Sequence, residues 1–208
     1  VAPGQHVAIL AFNRAEWIEA MLAAFKLRAV PVNINFRYVE DELRYVFDNA
    51  DVVALVYERQ FTPRLAAIRD SVPQLRHYLA LDDGHAADDA ALDAQEYERA
   101  LAAQNDAPLG IERSGDDLYV LYTGGTTGMP KGTIWRHEDI FFGALQGGAA
   151  TGGPPIGTPG EIVERVKTGF AMSTVCPPPM MHGGGMWNAL ITMYSGGKFV
   201  LYCEPHFD

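Results

Sequence analysis

The sequence predicts an α/β fold, with layered, mostly parallel sheets flanked by helices. Three observations carry that expectation. Short, nearly continuous apolar runs such as HVAIL (6–10) and VVALVY (52–57) suit strands buried on both faces. Segments with apolar residues at helical spacing separate these runs, and such alternation builds strand–helix–strand crossovers. Further runs rich in β-branched and aromatic residues, DLYVLY (117–122) and GTIWRH (132–137), continue the pattern into the second half.

HVAIL is the first strand. Asn13 stands three residues before Glu16, a capping-box spacing, and Trp17, Met21, Leu22 and Phe25 recur at helical intervals, so a helix follows. AVPVN (29–33) is a second strand, which Pro31 assigns to an edge or an irregular end because proline cannot donate to a ladder. A helix over 39–50 places Leu43, Val46 and Phe47 on one face; strand 52–57, a helix over about 62–71 and strand HYLAL (77–81) complete this part. Residues 82–94 are rich in Asp and Ala without a period, which predicts a surface loop. A helix over 94–104 and a loop over 105–115 lead to DLYVLY. After GTIWRH, EDIFFGALQGG (138–148) is a helix that its glycines stop. A Gly/Pro-rich loop (147–160), a short helix EIVERVK (161–167) and a strand FAMSTVC (170–176) follow. PPPMMHGGG (177–185) then enters a helix with Met186, Leu190 and Met193 facing inward, and KFVLY (198–202) is a last strand.

With 208 residues the chain can bury a substantial core in one or two domains. Its hydrophobic content of 48% and charged content of 20% are ordinary for a soluble globular protein. A net charge of −10 argues against a nucleic-acid surface, which needs clustered Lys and Arg. A small polyanion can still bind where a few local donors outweigh the distant field. Two cysteines, Cys176 and Cys203, are too few for a disulfide framework, so reduced thiols and a cytoplasmic location are expected. Cys176 has no neighbouring metal or nucleophile pattern and is expected to be a small buried apolar residue. No signal segment and no apolar run of bilayer length is seen. The chain opens without methionine and closes just after a strand, a pattern that suits a piece of a longer protein.

The most informative stretch is YTGGTTGMPKGT (122–133), directly after an apolar strand. A flexible hairpin is its simplest reading. However, glycines allow several amides to aim at one point, threonines add hydroxyl donors, and Lys131 follows Pro130 with a mobile positive charge. Converging donors and one cation suit polyphosphate oxygens. The stretch is neither a Walker A loop, since a strand rather than a helix follows Lys131, nor a Gly-x-Gly-x-x-Gly fingerprint, since 124–128 is Gly-Gly-Thr-Thr-Gly.

These residues resemble the signature loop of the adenylate-forming superfamily, the acyl-CoA synthetases, luciferases and peptide-synthetase adenylation domains. Gly124 stands where that loop has serine. PPPMMHGGG resembles the second signature of the superfamily, with Met181 where an aromatic is usual, and VPVNINFRYVEDELRYVFDNADVVALV (30–56) is similar to its N-terminal domain. The resemblance implies an ATP-dependent ligase using a carboxylic acid, ATP with Mg²⁺, and coenzyme A. It assigns Thr123, Gly124, Gly125, Thr126, Thr127, Gly128 and Lys131 to the phosphates, with Thr123 also near Mg²⁺. It assigns Lys131 and His182 to catalysis, and His182, Gly183, Gly184 and Trp187 to the acyl group. His182 could equally be structural and Trp187 core packing, and some relatives place a gating tryptophan at the position of Met186.

The Tyr-Gly-x-Thr-Glu and Thr-Gly-Asp motifs of the superfamily and the lysine of its C-terminal lid are not found in these residues. The expectation is therefore a truncated N-terminal domain, with a first α/β portion (1–115) and a phosphate-loop and acyl-site portion (116–208), inactive in isolation. Fatty or steroid side-chain acids are favoured as substrates. A carrier-protein adenylation domain and a non-catalytic phosphate-binding module stand as alternatives, and a second copy of the chain is a candidate partner.

Overall fold

Seven strands share one sheet in the computed structural model, which describes residues 1–86, 88–124, 128–147, 154–169, 171–176 and 178–203. In chain order the elements are β1 (His6–Leu10), α1 (Ala15–Lys26), β2 (Val30–Asn33), α2 (Glu40–Asn49), β3 (Val52–Glu58), α3 (Thr62–Ile68), β4 (His77–Leu81), β5 (Gln95–Glu96) and α4 (Tyr97–Ala102). Then come β6 (Leu118–Thr123), β7 (Lys131–Arg136), α5 (His137–Gly143), α6 (Glu161–Thr168), β8 (Thr174–Cys176), α7 (Gly183–Tyr194) and β9 (Phe199–Leu201).

The strand order is β5-β4-β3-β1-β2-β6-β7, and every neighbouring pair is parallel except β6–β7. A small parallel sheet pairs β8 with β9. This is the mostly parallel α/β architecture expected. The chain moves from β1 to β2 in one direction and from β2 back past β1 to β3 in the other. Right-handed crossovers taken in opposite directions place their helices on opposite faces. Accordingly, Leu43, Val46 and Phe47 of α2 pack with Leu65 and Ile68 of α3 on one face. Trp17 and Met21 of α1 share the other layer with Tyr119, Leu121, Met186 and Leu190.

Several sequence expectations are corrected. Pro31 lies inside the sheet, not at an edge. Val30 donates to Gln5 and Ile34 to Ile9, both toward β1, so Pro31 faces β6, which pairs only with Val32 and Asn33. The missing N–H thus falls beyond the ladder. Asn13 does not cap α1, whose N-cap is Arg14 without a side-chain hydrogen bond. Leu22 and Met193 are exposed, because α1 and α7 bury narrower faces than the period suggested. The helix expected from residue 94 starts at Tyr97, where Glu96 accepts from the amides of Glu98 and Arg99. α5 ends at Gly143, and β8 is confined to Thr174–Cys176. The expected burial of the Cys176 side chain lies outside the described residues; Cys203 is free and exposed.

One ion pair fixes the start of β6. Arg28, at a left-handed φ of 58°, donates from Nε to Asp117 Oδ1 at 2.9 Å. Burial opposes the ionised form of Asp117, but the Arg28 and Ser114 hydrogen bonds outweigh it and hold the carboxyl below its usual range. Next to it, His137 packs edge-on against Phe25, with ring centroids 4.5 Å apart. Burial, partly offset by Asp117, pushes His137 below its ordinary value of 6.5. The unfolded chain therefore takes up this proton more readily than the folded one. The stabilisation is complete above about pH 6.5 and declines as pH falls below it. Thermal unfolding at pH 7.5, 6.5 and 5.5 should show a decline in Tm that is shallower for His137→Leu than for the wild type. Equal slopes would remove His137 from the account.

Candidate active site

Ligands of open parallel sheets bind outside the carboxyl ends of the strands. Here Asn13 follows β1, Asn33 ends β2 and Thr123 ends β6, all on that edge. The turn before α7 is seated there by two carboxamides. Asn13 Oδ1 accepts from the Met180 amide at 2.7 Å, and its Nδ2 donates to the Pro178 carbonyl at 3.4 Å. Asn33, 3% exposed, accepts from the Tyr122 amide at 2.9 Å and donates to the Met181 carbonyl. One buried side chain thereby satisfies backbone groups of two distant segments that lack ladder partners. Sequence reasoning places neither asparagine in the site: it reads Asn13 as a helix cap and gives Asn33 no role. The only signal was an amide residue closing an apolar strand in AVPVN.

Thr123 and Lys131 face each other as the last residue of β6 and the first of β7. The stretch is thus a hairpin in its strands, but residues 124–130 are far more than the two that close a tight one. Thr123 and Lys131 are exposed, Gly124 faces open space, and Gly128 has φ +101°, a conformation that suits glycine. Pro130 is buried and anchors the returning chain. Gly125, Thr126 and Thr127 lie outside the described residues, and so does the expected convergence of their amides. Among the described residues Lys131 forms no ion pair, which leaves its ammonium available to a ligand.

His182 is the N-cap of α7. Its amide donates to Pro179 at 3.0 Å, and its carbonyl accepts from Gly185 and Met186, each at 3.1 Å. The residue is open to solvent on one side. Neighbouring atoms on the other side desolvate the ring, and this, with the Arg37 charge second, lowers its pKa below 6.5. A neutral imidazole therefore faces the site at neutral pH. Arg37, stacked over Phe36 at 5.4 Å, is a second cation near His182 that the sequence reading did not single out. α7 has no side-chain cap, so its positive end is left to interact with an anion.

The three glycines differ. A side chain on Gly185 would meet the Pro179 carbonyl oxygen at 2.4 Å, so this glycine lets the helix start beneath the turn. A Cβ on Gly183 would crowd Leu121 at 3.0 Å, whereas Gly184 faces open space. Trp187 packs perpendicular to Trp135 at 5.7 Å, joining α7 to β7. Met186 lines a largely apolar cavity of about 550 Å³ between α5 and α7, whose lining also includes Arg113, Ser114, Glu138 and Thr158. Leu190 and Tyr194 extend its wall along the same face of α7, with Phe25, Tyr119, His137 and Phe141 opposite.

No group of three His, Cys, Asp or Glu suited to a metal occurs among the described residues. A Mg²⁺ here would rest on the Thr123 hydroxyl and on phosphate oxygens it accompanies, a donor set that fits its usual oxygen ligands. No helix among the described residues is long and apolar enough to cross a membrane.

Sheet, hairpin and the start of α7 together make an α/β domain whose candidate ligand site lies on the carboxyl edge of its parallel strands. The chain belongs to the AMP-binding enzyme family, whose model matches residues 1–208. It is 40% identical over 205 residues to a 3-oxocholest-4-en-26-oate–CoA ligase of Rhodococcus rhodochrous, covering 98% of this chain and 37% of the relative. It is also 40% identical over 194 residues to the medium-chain acyl-CoA ligase Mig of Mycobacterium avium, covering 92% and 35%. Among solved structures, the anthranilate CoA ligase AuaEII in complex with anthranoyl-AMP superposes with a TM-score of 0.74 at 22% identity, covering 98% of this chain and 36% of that one. The N-terminal domain of FACL13 from Mycobacterium tuberculosis gives 0.72 at 23%, covering 100% and 46%. The chain thus spans little more than a third of the length of these curated relatives.

Asn33→Ala would leave the Tyr122 amide and the Met181 carbonyl buried and unpaired. At about 1–3 kcal/mol per unsatisfied group, a loss of about 2–6 kcal/mol is expected in urea denaturation. A loss below about 0.5 kcal/mol would show that the carboxamide does not hold the turn.

Proposed function

We propose that this chain is part of the N-terminal domain of an ATP-dependent acyl-CoA ligase acting on apolar carboxylic acids. One observation carries the reading: the Thr123–Lys131 mouth and the start of α7 at His182 share one sheet edge, and Met186, one helical turn after His182, lines a largely apolar cavity. In this reaction the substrate carboxylate attacks the α-phosphorus of ATP, the bond to the bridging oxygen breaks, and pyrophosphate leaves. The thiol sulfur of coenzyme A then attacks the acyl carbon as a thiolate, expelling AMP.

Both steps bring anions together, so the protein must offset negative charge where it gathers. Lys131 carries the positive charge for the β- and γ-phosphate oxygens, and Thr123 and the glycine-threonine segment supply donors around them. Mg²⁺, when bound, would add charge neutralisation at those oxygens. The uncapped end of α7 and Arg37 favour the incoming carboxylate. Neutral His182 can donate or accept a hydrogen bond beside the reacting groups without adding charge. Gly184 leaves room for the acyl group, and Met186 lines the cavity that would take its tail.

The names of the relatives, a steroid-acid ligase and a medium-chain ligase, describe acids with extended apolar bodies. The apolar lining supports the same class for this chain. Lys131→Ala in the full-length enzyme should lower acid-dependent pyrophosphate release about 10²–10³-fold, by analogy with loss of other preorganised charge-stabilising contacts. Unchanged turnover would overturn its assignment, and turnover with a carrier protein in place of coenzyme A would change the acceptor. The 208 residues alone should give no carboxylate-dependent pyrophosphate exchange, and measurable exchange would contradict the division of labour proposed here.

A further inference from the structure

Between β1 and β3 the sheet parts. The two strands are neighbours, but the chain leaves β1 toward α1 on one face and β3 toward α3 on the other, which opens a crevice between their carboxyl ends. A carboxylate fills that crevice: Glu58, the last residue of β3, is 4% exposed. Burying a charge is costly, and apolar side chains of similar size often hold such a place equally well, so this glutamate calls for a role.

Glu58 grips the loop between β1 and α1, residues 11–14, on both sides of Asn13. Leu10 opposite Tyr57 is the last pair of the β1–β3 ladder. Two residues further on, the Phe12 amide donates to Glu58 Oε1 at 3.2 Å, and Arg14 Nη1 lies 3.5 Å from the same oxygen. Gln60 donates to Oε2 at 2.7 Å, and its own amide donates to Asp83 at 2.9 Å, so the carboxylate is held in turn from the exit of β4. Arg14 has further partners, the Glu16 carboxylate at 2.9 and 2.6 Å and the Asp82 carbonyl at 3.0 Å. The Phe12 amide is therefore the group that depends most on Glu58.

The same loop carries the supports of the candidate site. Asn13 bonds to Met180 and Pro178 and so sets where α7 begins at His182. The Phe12 ring packs on Phe36 with centroids 4.2 Å apart, and Arg37 lies over that Phe36 ring at 5.4 Å. The start of α7 and the Arg37 guanidinium are thus seated on two consecutive residues, and Glu58 fixes the backbone that joins them.

We propose that Glu58 is a positioning residue for the adenylation step: it holds the backbone of residues 12–14 so that Asn13 sets the start of α7 beside the reacting groups. The catalytic half of this proposal rests on the ligase reading above. Its mechanical half, the seating of residues 178–186, is measured without it.

The test uses the full-length enzyme with Glu58→Ala, Glu58→Gln and Asn13→Ala, the last alone and combined with Glu58→Ala. Glu58→Ala should lower kcat for acid-dependent pyrophosphate release about 10–10²-fold, the scale of a misplacement of about 1 Å at a reacting centre. Glu58→Gln keeps an acceptor for the Phe12 amide and should restore most of that loss. Because Glu58 acts through Asn13, Glu58→Ala should add little to the effect of Asn13→Ala. A general loss of folded enzyme would instead lower kcat by the same factor in both backgrounds. Hydrogen–deuterium exchange supplies a readout separate from activity: Glu58→Ala should speed the amides of 180–186 and leave those of α2 unchanged. Equal factors in the two backgrounds, no restoration by Glu58→Gln, or exchange in 180–186 indifferent to Glu58→Ala would overturn the proposal and leave the ligase reading standing. Turnover of no acid by the wild type would remove the ligase reading, and exchange alone would then decide. Faster exchange in 180–186 would sustain the seating by Glu58, and unchanged exchange would overturn it.

Discussion

Two carboxamides, Asn13 and Asn33, hold the Pro178–Met181 turn against the carboxyl edge of the sheet, and the geometry of the site depends on that attachment. Without it, α7 would meet the sheet only through apolar packing, which is non-directional and does not fix where a helix begins. With it, the helix start is set by hydrogen bonds to the first two strands, and the Asn33 bond to Tyr122 sets it relative to β6 as well. The β6–β7 hairpin and His182 are thus referenced to the same side chain. Gly185 completes the arrangement by admitting the Pro178 and Pro179 carbonyls against the helix.

The electrostatics are local rather than global. The chain carries a net charge of −10, yet the groups around His182 and the hairpin mouth are cationic or neutral: Lys131, Arg37, an uncharged imidazole and a helix N-terminus. Much of the acidic excess is tied up elsewhere. Arg59 pairs with Asp89 at 2.9 Å and Asp82 at 3.4 Å, and Arg136 pairs with Asp116, Glu138 and Asp139. Glu58, the last residue of β3 on the same edge, is raised above the usual carboxylate range by burial, although Arg14 and Gln60 pull the other way. Its carboxylate serves the chain itself, accepting from the amide of Phe12 at 3.2 Å and from Gln60 at 2.7 Å.

Much of the fold was legible in the sequence because its strands are short buried runs and its helices carry strong apolar periods. HVAIL and VVALVY needed no tertiary information. What the sequence hid were features decided by topology. Pro31 signalled an edge, yet it sits inside the sheet because β6 begins pairing one residue later. Asn13 matched a local cap but bonds instead to a turn more than 160 residues away. Local hydrogen-bonding preference is a weak guide when a distant backbone offers unpaired groups. Of the candidate site, Thr123, Lys131 and His182 were legible as motif residues. Arg37 and Asn33 were not, since nothing in their local sequence marks what surrounds them. Trp187, left open between pocket and core, packs on Trp135 while lying one turn from His182.

The central claim is that the hairpin mouth and the start of α7 form one ligand site. Hydrogen–deuterium exchange of the full-length protein, with and without Mg-ATP plus a long-chain acid, tests it most directly. The account predicts that amides in 123–132 and in 180–187 slow together on ligand addition, while those of α2 and α3 on the opposite face stay unchanged. Slowing in one segment without the other, or in neither, would contradict it.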